Sequence, residues 1–191
     1  MVDDGGMVTR LAVFVASAAL LLAPTAHADP PGPLEVLVDT AAQRLDTADP
    51  VAAFKWINGG PITDPVRADQ VVDNVGADAT AHHIDPTYVK RIFRDQIGAT
   101  EGVEYTRFGQ WKFDPRTAPT QAPDLSESRT AIDGYNTKMV DEIALHWDAL
   151  HGPGCRADLD AATAAVVARR QLDPLYQAAL TSATRSYCET T

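Results

Sequence analysis

The chain has 191 residues, with 26 acids against 16 bases and a formal net charge of −10. So acidic a surface argues against nucleic acid or an anionic membrane as partner. Apolar residues make up 45% of the chain, which supports a packed core and excludes a disordered composition.

The first stretch reads as a targeting segment. Met7-Val8-Thr9-Arg10 precedes an apolar run from Leu11 to Ala23, and Thr25-Ala26-His27-Ala28 closes in an A-x-A pattern. One base, an apolar core and small residues describe a secretory signal peptide, and the run is short for a membrane span. Met7 is a better start than Met1, because Asp3 and Asp4 are out of place in a positive leader. Cleavage is expected after Ala28, leaving residues 29–191 as one exported domain, secreted or periplasmic, with no membrane association. Loss of Asp3, Asp4 and Arg10 moves the net charge from −10 to −9.

The mature chain reads as all-α. Asp-Pro occurs at Asp49-Pro50, Asp64-Pro65, Asp85-Pro86 and Asp173-Pro174. Asp is a good N-cap and Pro suits the first helical turn, so each pair marks a helix start, or a kink where the preceding segment is also helical. Alternating β-branched runs are few. Gly59-Gly60-Pro61 and Gly152-Pro153-Gly154 are breaks, and Pro115 to Pro123 is a linker.

Between Asp39 and Trp56, Arg44 and Lys55 stand among Ala, Leu, Val and Phe, eleven residues apart. Eleven steps of about 100° return to nearly the same helix face. If the helix runs through, both cations point one way. Either they snorkel to water along their stems or they meet anions. The helix from Asp64 places Arg67, Val71 and Val75 at intervals of four.

The helix from Pro86 carries a single stripe of Phe93, Ile97, Thr100, Glu104, Phe108 and Trp111. A carboxyl in the middle of a core stripe is costly unless paired or protonated. The helix from Asp124 sets Arg129 in a stripe with Leu125, Ile132, Met139, Ile143 and Leu150. One reading is a buried salt-bridge network with Glu104 pairing an arginine. The other is a pocket for a small dianion, because Arg44, Lys55, Arg67 and Arg129 outnumber the acids.

Cys155 and Cys188 are the two cysteines of an exported chain, which favours a disulfide. They offer no metal-ligand spacing. His82 and His83 are adjacent and do not face one ligand together; with His146 they are assigned to surfaces. No P-loop, G-x-S-x-G elbow or H-E-x-x-H motif is present.

These residues carry a resemblance. Asp49 to Trp56 (DPVAAFKW), His83-Ile84-Asp85-Pro86, Gln96-Ile97 with Ala99-Thr100-Glu101, Trp111-Lys112 and the late cysteine pair are similar to the exported gamma subclass of the all-helical chorismate mutases. The likeness runs from about Leu34 to Cys188. It implies an all-α helical bundle and the Claisen rearrangement of chorismate to prephenate, the first step towards phenylalanine and tyrosine. It implies no cofactor and no metal, a complete site in each chain, and a homodimer.

The demands of that reaction match the residues already found: hold a compact conformer and stabilise charge on the breaking ether oxygen. Arg44, Arg67 and Arg129 are guanidinium forks suited to two carboxylates. Lys55 can donate to the ether oxygen, and Glu104 can do so when protonated. Arg44, Lys55 and Glu104 are thus expected to be catalytic, and Thr100 offers a hydroxyl to a carboxylate. Asp64 either orients Arg67 or Lys55 or is a plain N-cap. Where relatives of this subclass carry glutamine, four residues after Arg67, this chain has Val71, with Gln70 about 100° around the helix. The competing class is a non-catalytic exported helical module that binds an anionic metabolite or a host protein. Glu104 separates the two, since a simple anion binder gains nothing from a carboxyl there.

Overall fold

The computed structural model describes Met1 and residues 32–188. The expected leader and its cleavage point lie outside the described residues. Among the described residues eight α-helices follow one another: α1 (Glu35–Asp46), α2 (Ala48–Asn58), α3 (Pro65–Ala81), α4 (Pro86–Phe113), α5 (Leu125–Leu145), α6 (Trp147–His151), α7 (Cys155–Arg170) and α8 (Pro174–Ala183). A 3-10 turn, Pro115–Thr117, interrupts the expected linker. No strand occurs among the described residues.

Three of the four Asp-Pro pairs start helices. The Asp64, Asp85 and Asp173 carboxylates accept from the backbone N–H groups of Arg67, Thr87 and Tyr176, respectively. These bonds satisfy amides that have no partner within the helix. Asp124 caps α5 in the same way, accepting from Ser126 N–H. Asp49-Pro50 is the exception and lies inside α2. Pro50 has no N–H to donate back to Asp46. The chain tightens into a turn at Thr47, whose N–H donates to Arg44 at 3.2 Å. Thr47 keeps near-helical angles, φ −72° and ψ −11°, so the junction is a kink that hardly disturbs the helical phase.

α4 is the spine of the bundle, packing against α3 on one side and α8 on the other, with α2 across its C-terminal half. α1 runs between α5 and the α7–α8 pair. Their apolar stripes meet in one core containing Leu37, Leu45, Tyr88, Phe93, Met139 and Leu180. A smaller cluster ties α2 to the end of α4. There Trp56 meets Phe108 and Trp111 edge-on, with ring centroids 5.2 and 5.5 Å apart. That contact sits one residue from Lys55 and one turn from Glu104, so it fixes the side chains that matter most below.

Two expectations on α5 change. The helix ends at Leu145, so Leu150 belongs to α6 and joins the core from there. Arg129 keeps its phase in the stripe, lining a cleft with Leu125 and Ile132, but it is not buried. It lies in the second turn of α5, before the helix enters the core, and is exposed. His82 and His83 are exposed as expected, and His82 pairs with Asp141 at 3.0 Å. His146 is half-buried rather than a surface residue, 3.6 Å from Glu142. Cys155 and Cys188 form a disulfide that fastens the chain after α8 to the start of α7.

Candidate active site

One cleft opens between α2, α3, α4 and α5, and its wall collects residues from five stretches of sequence. Arg44, Lys55, Asp64, Arg67, Thr100, Glu104 and Arg129 all line it, together with Val71, Glu101 and the apolar side chains Val51, Ile62, Ile97, Leu125 and Ile132. Every residue singled out from the sequence as a site candidate is therefore in one place.

Arg44 is the deepest cation, only 3% exposed. Its Nε donates to Asn136 Oδ1 at 2.7 Å, and its Nη1 to Thr100 Oγ1 at 3.3 Å. Both partners are neutral. Thr100 is free to accept because its own hydroxyl hydrogen goes to the Gln96 carbonyl at 2.9 Å. Burial lowers the Arg44 pKa to about 10, so the guanidinium stays charged at neutral pH. A buried cation with neutral partners costs several kcal/mol unless an anion arrives.

Lys55 and Glu104 face each other. Lys55 Nζ donates to Glu104 Oε2 and to the Ile62 carbonyl, both at 2.8 Å. The sequence-level alternative paired Glu104 with an arginine; the partner is Lys55, because α2 lies directly over this part of α4. Burial pushes the Glu104 carboxyl above the ordinary glutamate value, Lys55 pulls it back, and the neighbouring Glu101 adds to the rise. Since burial outweighs the lysine, the protonated form is closer to hand here than on a surface.

Arg67 and Arg129 sit at the mouth. Arg67 donates to Asp133 on α5 at 2.7 Å, and both groups of this pair keep contact with water. Such a pair is weak enough to exchange for a ligand. Asp64 accepts from the Arg67 backbone N–H at 3.1 Å, so it acts here as an N-cap that also faces the cleft. Val71 is buried and gives this wall an apolar surface, whereas Gln70 is exposed and does not line the cleft.

Three contributors escaped the sequence reading: Asn136, the Ile62 carbonyl and Asp133. Asn136 had a signal. It fills the slot between Ile132 and Met139 in the α5 stripe, at spacings of four and three. A polar residue in a core slot is the same signature that marked Glu104. The Ile62 carbonyl had none, being backbone in a loop.

The family model "Chorismate mutase type II" matches residues 35–105, which carry α1, the cations Arg44, Lys55 and Arg67, and Thr100 with Glu104. Over 176 residues the chain is 57% identical to the secreted chorismate mutase of Mycolicibacterium smegmatis, covering 92% of this chain and 97% of that relative. The chain belongs to the chorismate mutase family. The secreted chorismate mutase of Mycobacterium tuberculosis is 53% identical over 166 residues, 87% of this chain and 83% of that relative. The crystal structure of chorismate mutase from Burkholderia thailandensis superposes with a TM-score of 0.77 at 32% identity, covering 82% of this chain and 99% of that one. The secreted chorismate mutase of Yersinia pestis shares the fold at 21% identity and a TM-score of 0.65. The mutase fold therefore persists over a wide range of identity, and with it the helices that wall this cleft.

Proposed function

We propose that this chain, a chorismate mutase by family, converts chorismate to prephenate in the cleft just described. The reaction is unimolecular. A carbon–oxygen bond breaks while a carbon–carbon bond forms, and negative charge gathers on the ether oxygen as it goes. The protein must bind a dianion, hold its two reacting ends together, and answer that charge.

The observation that carries the reading is the pairing of Lys55 with Glu104 beside a buried Arg44 that has only neutral partners. Arg44 takes one carboxylate of the substrate, with the Thr100 hydroxyl beside it. Arg67 and Arg129, at the mouth, take the other. Lys55 has three N–H donors, and two are already committed to Ile62 and Glu104, so the third is aimed by the first two at the ether oxygen. Arrival of a dianion raises the Glu104 pKa further, because like charge disfavours ionisation. The Glu104 oxygen not held by Lys55 then carries the proton and supplies a second donor to the ether oxygen.

Val71 leaves the substrate's ring hydroxyl without the glutamine contact expected of this subclass, and exposed Gln70 does not replace it. Water at the open mouth serves instead. Residues 1–28 act as a cleaved export signal, residues 29–191 form the enzyme, and two copies pair as a homodimer. The two mycobacterial relatives are secreted chorismate mutases, which supports the export reading. A monomer mass in light scattering would remove the dimer from this account.

The deciding experiment mixes purified protein with chorismate and follows loss of its enol-ether absorbance. Decay no faster than the uncatalysed rate would sink the assignment.

A further inference from the structure

The loop between α2 and α3 is held from two sides. After Asn58 the chain turns through Gly59 and Gly60, at φ 80° and 120°, a region that favours glycine. Next come Pro61 and buried Ile62, whose carbonyl accepts from Lys55. Thr63 follows, and Asp64 starts α3.

Thr63 is exposed, yet its hydroxyl is engaged twice on α4. Its Oγ1 donates to Glu101 Oε2 at 3.3 Å and lies 3.0 Å from Tyr105 Oη. A hydroxyl has one hydrogen to give. That hydrogen goes to Glu101, so the consistent order is Tyr105 to Thr63 to Glu101. Glu101 and Tyr105 are one turn apart on α4, which puts them side by side under the loop. Glu104 is on the same stretch, and Lys55 spans from it back to the loop.

We propose that Thr63 and Tyr105 are positioning residues for the rearrangement, latching the 59–64 loop to α4 so that the Ile62 carbonyl aims the Lys55 ammonium. The proposal rests on the reading of the cleft as the mutase site. One of the two groups that orient Lys55 belongs to the loop, and the loop's only side-chain bonds to α4 among the described residues run through Thr63. Loosen the latch, and the lysine keeps its charge but loses its direction. The same chain of hydroxyls covers the Glu101 carboxylate, which otherwise stands bare at the rim of an anion site.

Thr63→Val removes the hydroxyl at nearly constant shape, and Tyr105→Phe removes the outer donor. Both positions are exposed, so the core is not at risk. In chorismate turnover, Thr63→Val should lower kcat about three- to tenfold while KM moves less than about twofold, the loss falling on charge that develops in the transition state. Tyr105→Phe should lower kcat about twofold to threefold by the same reasoning. Thr63→Ser should restore most of the rate. Hydrogen exchange of the loop amides should quicken in Thr63→Val and return in Thr63→Ser. An unchanged kcat in Thr63→Val overturns the proposal, as does unchanged loop exchange. A wild-type chain that fails to turn over chorismate overturns the reaction assignment instead, and the exchange measurement then decides the latch alone.

Discussion

Helix α1 passes through two charge environments five residues apart, and they are opposites. At Asp39 the helix meets α7. Arg170 donates to that carboxylate through Nε at 2.6 Å and through Nη2 at 2.7 Å, and Arg169 adds a bond at 2.9 Å. Arg170 also reaches towards Asp46, 3.7 Å away, and Arg169 pairs with Glu35. At Arg44 the helix meets the cleft, and the buried guanidinium is given an amide oxygen and a hydroxyl. One region matches every cation with a carboxylate near water. The other buries a cation and gives it only neutral hydrogen-bond partners. A fold that needed only stability would not build the second, because an unmatched buried charge costs more than it returns. Such a mismatch is what a site that receives an anion would require.

The comparison can be broken at several points. Lys55→Ala should lower kcat by about 10²–10³-fold with a smaller effect on KM, the range found when a donor to developing charge is removed. Near wild-type kinetics would move the chemistry elsewhere. Reduction of Cys155–Cys188 should act only on the other side of the comparison. It opens a loop of 33 residues and should cost roughly 3–4 kcal/mol of stability on the chain-entropy model. Thermal unfolding with and without reductant measures this, and turnover at low temperature should stay near that of the oxidised protein.

Arg44→Ala should weaken kcat/KM by about 10- to 100-fold, the loss of a charge-assisted bond to substrate. It should cost little stability, or even add some, since it removes an unmatched buried charge. A variant that instead unfolds would turn Arg44 into a structural residue.

Glu104 separates two versions of the cleft. Its carboxyl is held above the ordinary glutamate value mainly by burial, and only the protonated form donates. Activity should therefore be full below the pKa in the substrate complex and fall as pH rises through it, with the limb visible in kcat. Glu104→Gln keeps a donor that does not titrate, so it should stay active and lose that limb, while Glu104→Ala should lose most of the rate. Equal loss in both would mean that the carboxylate serves as an anion that orients Lys55.

The smallest effect belongs to the α1–α7 pairs. Bonds from Arg170 and Arg169 hold the Asp39 carboxyl down to about 2, below its ordinary 3.8. A depressed carboxyl pKa stabilises the fold above the unfolded value, and the gain is lost as pH falls towards 2. Arg170→Ala should thus cost about 1 kcal/mol at pH 7, after allowance for solvent screening, and only a small part of that near pH 2. Urea unfolding at the two pH values checks it, and turnover should not change.

Much of this was legible from sequence where side chains repeat on a helical period. The α4 stripe named Thr100 and Glu104, and the Asp caps fixed where α3, α4, α5 and α8 begin. A spacing of eleven from Arg44 to Lys55 placed both on one side, and the kink at Thr47 spared that phase. Periodicity failed where position along the helix, not phase, decides burial. Arg129 has the right phase but lies too close to the start of α5. Which cation meets Glu104 was also out of reach, because it depends on how α2 crosses α4. Backbone acceptors such as the Ile62 carbonyl leave no trace in composition or spacing.

The placement of α1 has a consequence for how the molecule is made. Its apolar side is covered by α5, α7 and α8, and its pairs with Arg169 and Arg170 close loops of about 130 residues. Until the last third of the chain exists, α1 therefore has only α2 and a short stretch of α4 to pack on. Long closures of this kind slow folding and leave apolar surface open meanwhile. The Arg44 corner waits for α5, which brings Asn136, and a fragment ending before α7 leaves the other side of α1 uncovered and should lose most of its turnover.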